Sequence, residues 1–145
     1  MVERAPLKRC WNYAGERDVR PYPVMEFILR NPVAERELLI RARVDTGFSG
    51  ELILTHDQWE KLRLETAVLP ERGVLWTITS PLFTERVNVL LTIPELELEL
   101  QVVAERLLRF IEERALVGRG VLNKLFLELR GPEKRCCVFR GGSTE

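Results

Sequence analysis

One stretch of the chain gathers residues that could do chemistry: ARVDTGFSGELIL, residues 42–54, where Asp45-Thr46-Gly47-Phe48-Ser49 interrupts two apolar runs. A lone carboxylate is a weak catalyst of amide hydrolysis. Two carboxylates about 3 Å apart cannot both ionise comfortably, so they share a proton. The ionised member can then take a proton from water while the protonated one hydrogen-bonds the carbonyl oxygen under attack. That geometry needs a tight loop after the aspartate. Gly47 allows a close turn, and the Thr46 hydroxyl can reach across to a partner loop. The competing reading is an ordinary turn in which Asp45 bonds its own backbone.

A dyad needs two such loops, and the chain has three aspartates: Asp18, Asp45 and Asp57. Asp18 is followed by Val-Arg and Asp57 by Gln-Trp, so neither repeats the motif. The second carboxylate must therefore come from a second copy of the chain, on a two-fold axis, and a homodimer is a requirement of the dyad.

Composition excludes other chemistries. Basic and acidic residues balance at 22 each, which argues against nucleic acid or an anionic membrane as partner. His56 is the one histidine, leaving little for zinc or for a Ser-His-Asp scheme. Cys10, Cys136 and Cys137 make no CxxC spacing and, being odd in number, a poor disulfide framework; they read as buried or bystander thiols. No phosphate-cradling glycine motif occurs. We expect no metal and no cofactor. No apolar run approaches a membrane span, and the start MVERAPLKRCWNY has no signal-peptide core. A cytoplasmic protein is the expectation.

The elements that must position Asp45 are mostly strands. Residues 1–22 read as an irregular arm ahead of a single domain, 23–145. A strand is expected at 23–29. Leu38, Ile40, Ala42 and Val44 then alternate with Glu37, Arg41 and Arg43 along a strand that runs straight into the motif. ELIL resumes as a short strand. Thr55 and Gln58 have capping-box spacing ahead of a short helix burying Trp59 and Leu62. Residues 73–93 read as a β-hairpin turning near Ser80-Pro81, its arms carrying Val74, Trp76 and Ile78, then Val87, Val89, Leu91 and Ile93. Another strand follows, with Leu96, Leu98, Leu100 and Val102 inward. AERLLRFIEER leans to helix on the spacing of Leu107, Leu108 and Ile111. ALVGRGVLNKLFLEL gives a strand ending at Gly118, a helical turn and a further strand, and CCVF a last edge strand.

RVDTGFSGELIL resembles the catalytic loop of retropepsin-like aspartic proteases, in particular the small prokaryotic ones whose loop reads Asp-Thr-Gly-Phe. A second segment, ALVGRGVL at 115–122, is similar to the family's apolar-apolar-Gly-Arg strand, which crosses behind that loop and leads into a helix. The resemblance implies a closed β-barrel of the acid-protease fold with one or two short helices and one catalytic loop per chain. It implies a homodimeric endopeptidase acting on a peptide or protein substrate. Asp45 matches the catalytic aspartate, Thr46 the threonine that interlocks the two loops, and Gly47 the glycine whose backbone faces substrate. Residues 75–86 match the flap, and Gly118 matches the glycine packed behind the loop. Phe48, Ser49, Trp76 and Ile78 are the expected substrate contacts.

Three departures stand out. Phe48 replaces a small residue. Arg119 matches an arginine that pairs with an acid, but Ser49 stands at the acid's place. The hairpin has no glycine between Val74 and Pro94, where retroviral flaps are glycine-rich. The alternative they suggest is a catalytically silent homodimer of the same fold that binds peptides or organises an assembly.

Overall fold

The computed structural model describes residues 7–15, 20–109 and 114–140. Among the described residues ten strands and two short α-helices follow one another. They are β1 (Lys8–Asn12), β2 (Val24–Asn31), β3 (Arg36–Val44), β4 (Leu52–Ile53), α1 (His56–Lys61), β5 (Gly73–Trp76) and β6 (Pro81–Ile93). After them come β7 (Leu98–Leu107), β8 (Ala115–Val117), α2 (Arg119–Leu122), β9 (Phe126–Arg130) and β10 (Arg135–Phe139).

Six strands close a barrel in the order β2-β3-β8-β4-β7-β6, with β6 pairing back onto β2. Closure removes the open edges that a flat sheet would leave. β6 is long enough to pair with β7 throughout, while its other side serves β5 first and β2 later. The β5–β6 hairpin therefore projects from the barrel wall as an extension of one strand.

The alternation in β3 places Ile40, Ala42 and Val44 in the core, as the period of two requires. Val87, Val89, Leu91 and Ile93 join them from β6. Helix α1 and its C-cap residue bury Trp59 and Leu62 fully in the core. Its capping box is formed as expected: Thr55 Oγ1 accepts from the Gln58 N–H at 3.1 Å, and Gln58 Oε1 accepts from the Thr55 N–H at 3.0 Å. Asn31 binds the other end of α1. Its buried amide donates to the Leu62 and Arg63 carbonyls and accepts from Val33 and Ala34.

Several expectations are corrected. Residues 8–12, read as part of an irregular arm, form β1, which pairs with β10 to begin a three-stranded sheet. β10 lies in the middle of that sheet, between β1 and β9, so CCVF is not an edge. Cys10 and Cys137 face each other across β1 and β10 and are joined in a disulfide. Cys136 points the other way, into the core with Trp11 and Val138. Burial pushes its thiol up to about 11.

β7 continues through Leu107, so residues 104–107 are strand where helix was expected; Ile111 lies outside the described residues. Leu96 is buried but belongs to a 3₁₀ turn, Pro94–Leu96, and the strand begins at Leu98. Among the described residues no helix is long and apolar enough to cross a membrane.

Candidate active site around Asp45

Asp45 stands where β3 leaves the barrel. Its N–H donates to the Val117 carbonyl at 2.9 Å, and the preceding Val44 N–H donates to Pro23 at the same distance. The chain then loops through 45–51 and re-enters as β4. β8 lies between the two strands which that loop connects, parallel to β3 and antiparallel to β4. It passes behind the loop and then fastens it. Gly118, Arg119 and Gly120 donate their successive N–H groups to Glu51, Phe48 and Gly50 carbonyls, at 2.9, 2.8 and 2.9 Å.

Such an approach leaves no room for a side chain at Gly118. A Cβ there would sit 2.4 Å from the Gly50 oxygen and 2.5 Å from the Phe48 ring. The loop's exit is pinned as well, by the Val103 N–H donating to the Glu51 carboxylate at 3.1 Å.

Within this clamp Asp45 is half-buried, and Thr46, Gly47 and Ser49 are exposed. Asp45 Oδ1 accepts the Gly47 N–H at 3.0 Å, so the carboxylate is oriented by its own loop. Gly47 has no left-handed backbone. What its missing Cβ provides is space, since that atom would lie 3.3 Å from the same carboxylate oxygen.

Phe48 lays its ring against Gly50 and Gly118. It props the loop from within, and what it offers a ligand is the smaller part of its surface that is left open. Arg119 keeps its side chain in solvent; its contribution to the loop is the backbone N–H.

The hairpin carries the remaining expected contacts. Trp76 is 79% exposed and Ile78 is fully so. The tip comprises residues 77–80, slightly earlier than the sequence suggests, because Trp76 pairs with Pro81. Thr77 closes it: its N–H donates to the Ser80 carbonyl at 2.9 Å, and its hydroxyl donates to that oxygen while accepting the Ser80 N–H.

Pairing fixes two sides. Val74, Trp76, Pro81 and Phe83 share one; Gly73, Leu75, Leu82 and Thr84 share the other. A pocket of about 320 Å³ opens between residues 80–83, Leu107 and Arg109. The expected contacts Trp76 and Ile78 do not line it; Leu82 and Leu107 do, and Leu82 is legible in the sequence as the apolar partner of Leu75 across the hairpin.

Behind both regions lies a buried carboxylate that the sequence reading did not single out. Glu105 of β7 receives the Thr84 hydroxyl at 2.7 Å on Oε1 and lies 4.0 Å from Arg86 Nε. Burial raises its carboxyl above the ordinary glutamate value; Glu51 adds to the rise, while the Thr84 bond and Arg86 oppose it.

The chain matches no family model, no curated protein and no solved structure.

Proposed function

We propose that the chain is one half of a homodimeric aspartic endopeptidase. In it a water is activated between two Asp45 carboxylates, one from each copy. The observation that carries the reading is the clamp: an Asp-Thr-Gly turn, open to solvent at Thr46 and Gly47, fastened from behind by three consecutive N–H groups of 118–120. Catalysis by a shared proton demands carboxylates held within a fraction of an ångström, and a loop with that many backbone bonds loses little freedom when the partner docks.

Thr46 interlocks the two loops, Gly47 offers its backbone to an extended peptide, and Phe48 and Ser49 border the cleft. The hairpin, with Trp76 and Ile78 at its end, covers the bound chain. The retropepsin-type barrel belongs to the same proposal. The free edges of β1 and β9 and the exposed Phe126 and Leu129 suit a symmetric contact. The cytoplasm is the compartment of this reading. It requires the Cys10–Cys137 bond to withstand a reducing pool, as intracellular disulfides of hyperthermophiles do.

One observation favours the silent, peptide-binding alternative: the Thr77-locked tip has no glycine to bend on, so the hairpin would stay where it is. A single comparison separates the two. Wild type and Asp45→Asn are incubated with a mixed peptide library, with and without a statine-type transition-state mimic. Cleavage by wild type alone, blocked by the mimic, supports the protease. Extended peptides bound by both proteins and cut by neither support the binding module.

A further inference from the structure

We infer that Glu105 is a positioning residue for this reaction, joining the root of the β5–β6 hairpin to the back of the Asp45 loop. The inference rests on the reading of the hairpin as a cover, and it starts from a cost. A carboxylate taken out of water is expensive unless partners compensate it, and Glu105 is 6% exposed on the face of β7 turned away from the core residues Val102 and Ala104.

Its two oxygens face two different segments. Oε1 accepts the Thr84 hydroxyl and lies 2.4 Å from the place a Gly73 Cβ would take. Oε2 lies 3.2 Å from the place a Gly50 Cβ would take, beside the tip of the Phe48 ring. The Glu105 carbonyl accepts the Leu54 N–H at 2.9 Å, which ties the same residue to the strand leaving the loop. At Gly73 a Cβ would meet the Thr84 hydroxyl and this carboxyl, at 2.3 and 2.4 Å; at Gly50 it would meet the Phe48 ring at 2.4 Å, with the carboxyl next at 3.2 Å. The carboxyl thus stands between the hairpin root and the Phe48 ring, and a tilt of the hairpin would press it toward Gly50 and Phe48.

The charges around it decide what protonation does. Arg86 faces it from β6 at 4.0 Å. Glu51 faces it from the end of the loop, itself bonded to Val103 and 3.9 Å from Lys124 Nζ. β5 contributes Gly73 and no charge. The Glu85–Arg106 pair lies on the opposite side of the sheet. Burial dominates and lifts the folded value above the unfolded one. The stabilisation is therefore complete below the unfolded value and is lost as pH rises through the folded one. On the acid side a neutral carboxyl fits between Thr84 and the two glycines; once ionised it draws in water and the root loosens.

The test follows amide hydrogen exchange of residues 73–84 from about pH 4 to about pH 8, corrected for the intrinsic pH dependence of exchange. Wild type, Glu105→Gln and Thr84→Val are compared, with kcat and KM for a cleaved peptide measured on the same samples. We expect wild-type hairpin protection to fall severalfold as pH rises. In Glu105→Gln, which keeps the shape and cannot ionise, it should stay flat. KM should lose its pH dependence in Glu105→Gln with kcat on the acid side unchanged, and Thr84→Val should raise KM severalfold.

Hairpin exchange that follows pH identically in wild type and Glu105→Gln overturns the inference even if Asp45-dependent hydrolysis is present. A hairpin that responds to Glu105 in a protein that cleaves nothing keeps the mechanical link and removes the protease reading.

Discussion

The Asp45 loop and the β5–β6 hairpin are held in opposite ways. The loop is fastened along its length by backbone bonds to 118–120 and Val117 and by the Glu51 carboxylate accepting the Val103 N–H, with a glycine at 50 and 118 where a side chain would intrude. The hairpin is paired to the barrel at its root and bonded to itself at its tip, and between them it puts Val74, Trp76, Ile78 and Phe83 into solvent. Order in the first comes from hydrogen bonds that need no partner. The apolar surface of the second is a cost until something covers it. The contrast suits a site in which the reacting groups are fixed and the cover adapts.

The largest effect that would break this comparison is at the loop's centre. Asp45→Asn keeps the shape and the acceptor for the Gly47 N–H but removes the shared proton. Turnover should fall to background while stability stays within about 0.5 kcal/mol of wild type. Peptide hydrolysis and thermal melting on the same preparation check both halves. A variant as active as wild type ends the protease reading.

Gly118→Ala attacks the clamp. The new methyl meets two backbone oxygens, of Gly50 and Phe48, at 2.4 and 2.7 Å. Backbone cannot yield as a side-chain end can, so the cost should reach about 3 kcal/mol, seen as a lower denaturation midpoint, with activity lost alongside. A silent substitution would mean that β8 does not press on the loop.

How much of this was legible beforehand differs from segment to segment. Strand β3 announced itself because one face is core and the other solvent, and Gly118 because a glycine ends an apolar strand just before a helical turn. β1 stayed hidden: it is five residues long, has one deeply buried side chain, Trp11, and finds its partner 127 positions further along the chain. The disulfide was obscured by adjacency. Cys136 and Cys137 look like a redundant pair, yet consecutive residues of a strand point to opposite faces, and only one can meet Cys10.

The end of β7 was misread for a related reason. Ala104, Glu105 and Leu107 are all buried because that strand is covered on both sides, so its period of two disappears. The same two-sided burial hid Glu105 as a candidate.

Phe48→Ala sits between the two regions in expected size. A fully buried phenylalanine costs about 3–5 kcal/mol when truncated. This one is partly buried and rests on Gly50 and Gly118, so the lower end of that range applies. Because the ring supports the loop, kcat should drop while the preference for residues flanking the scissile bond stays the same. A changed preference with unchanged stability would move Phe48 from the loop's support to the substrate's pocket.

The smallest effect on the fold belongs to Trp76, and it separates the two regions most directly. Its ring is almost wholly in solvent in the single chain, so Trp76→Ala removes little buried area and should leave stability within about 0.5 kcal/mol. If the hairpin covers substrate, that ring becomes buried on binding. An aromatic anchor of this kind is worth about 1–2 kcal/mol, which is a rise in KM of roughly fivefold to thirtyfold. kcat should change less, since the Asp45 loop is held from behind by 118–120 and takes none of these bonds from the hairpin tip. Wild-type fluorescence offers an independent reading: Trp11 and Trp59 are buried, so quenching by acrylamide reports mainly Trp76, and a bound peptide mimic should protect it. Should KM and quenching both stay put, the hairpin's apolar end serves some other surface, and the loop would have to hold its substrate without it.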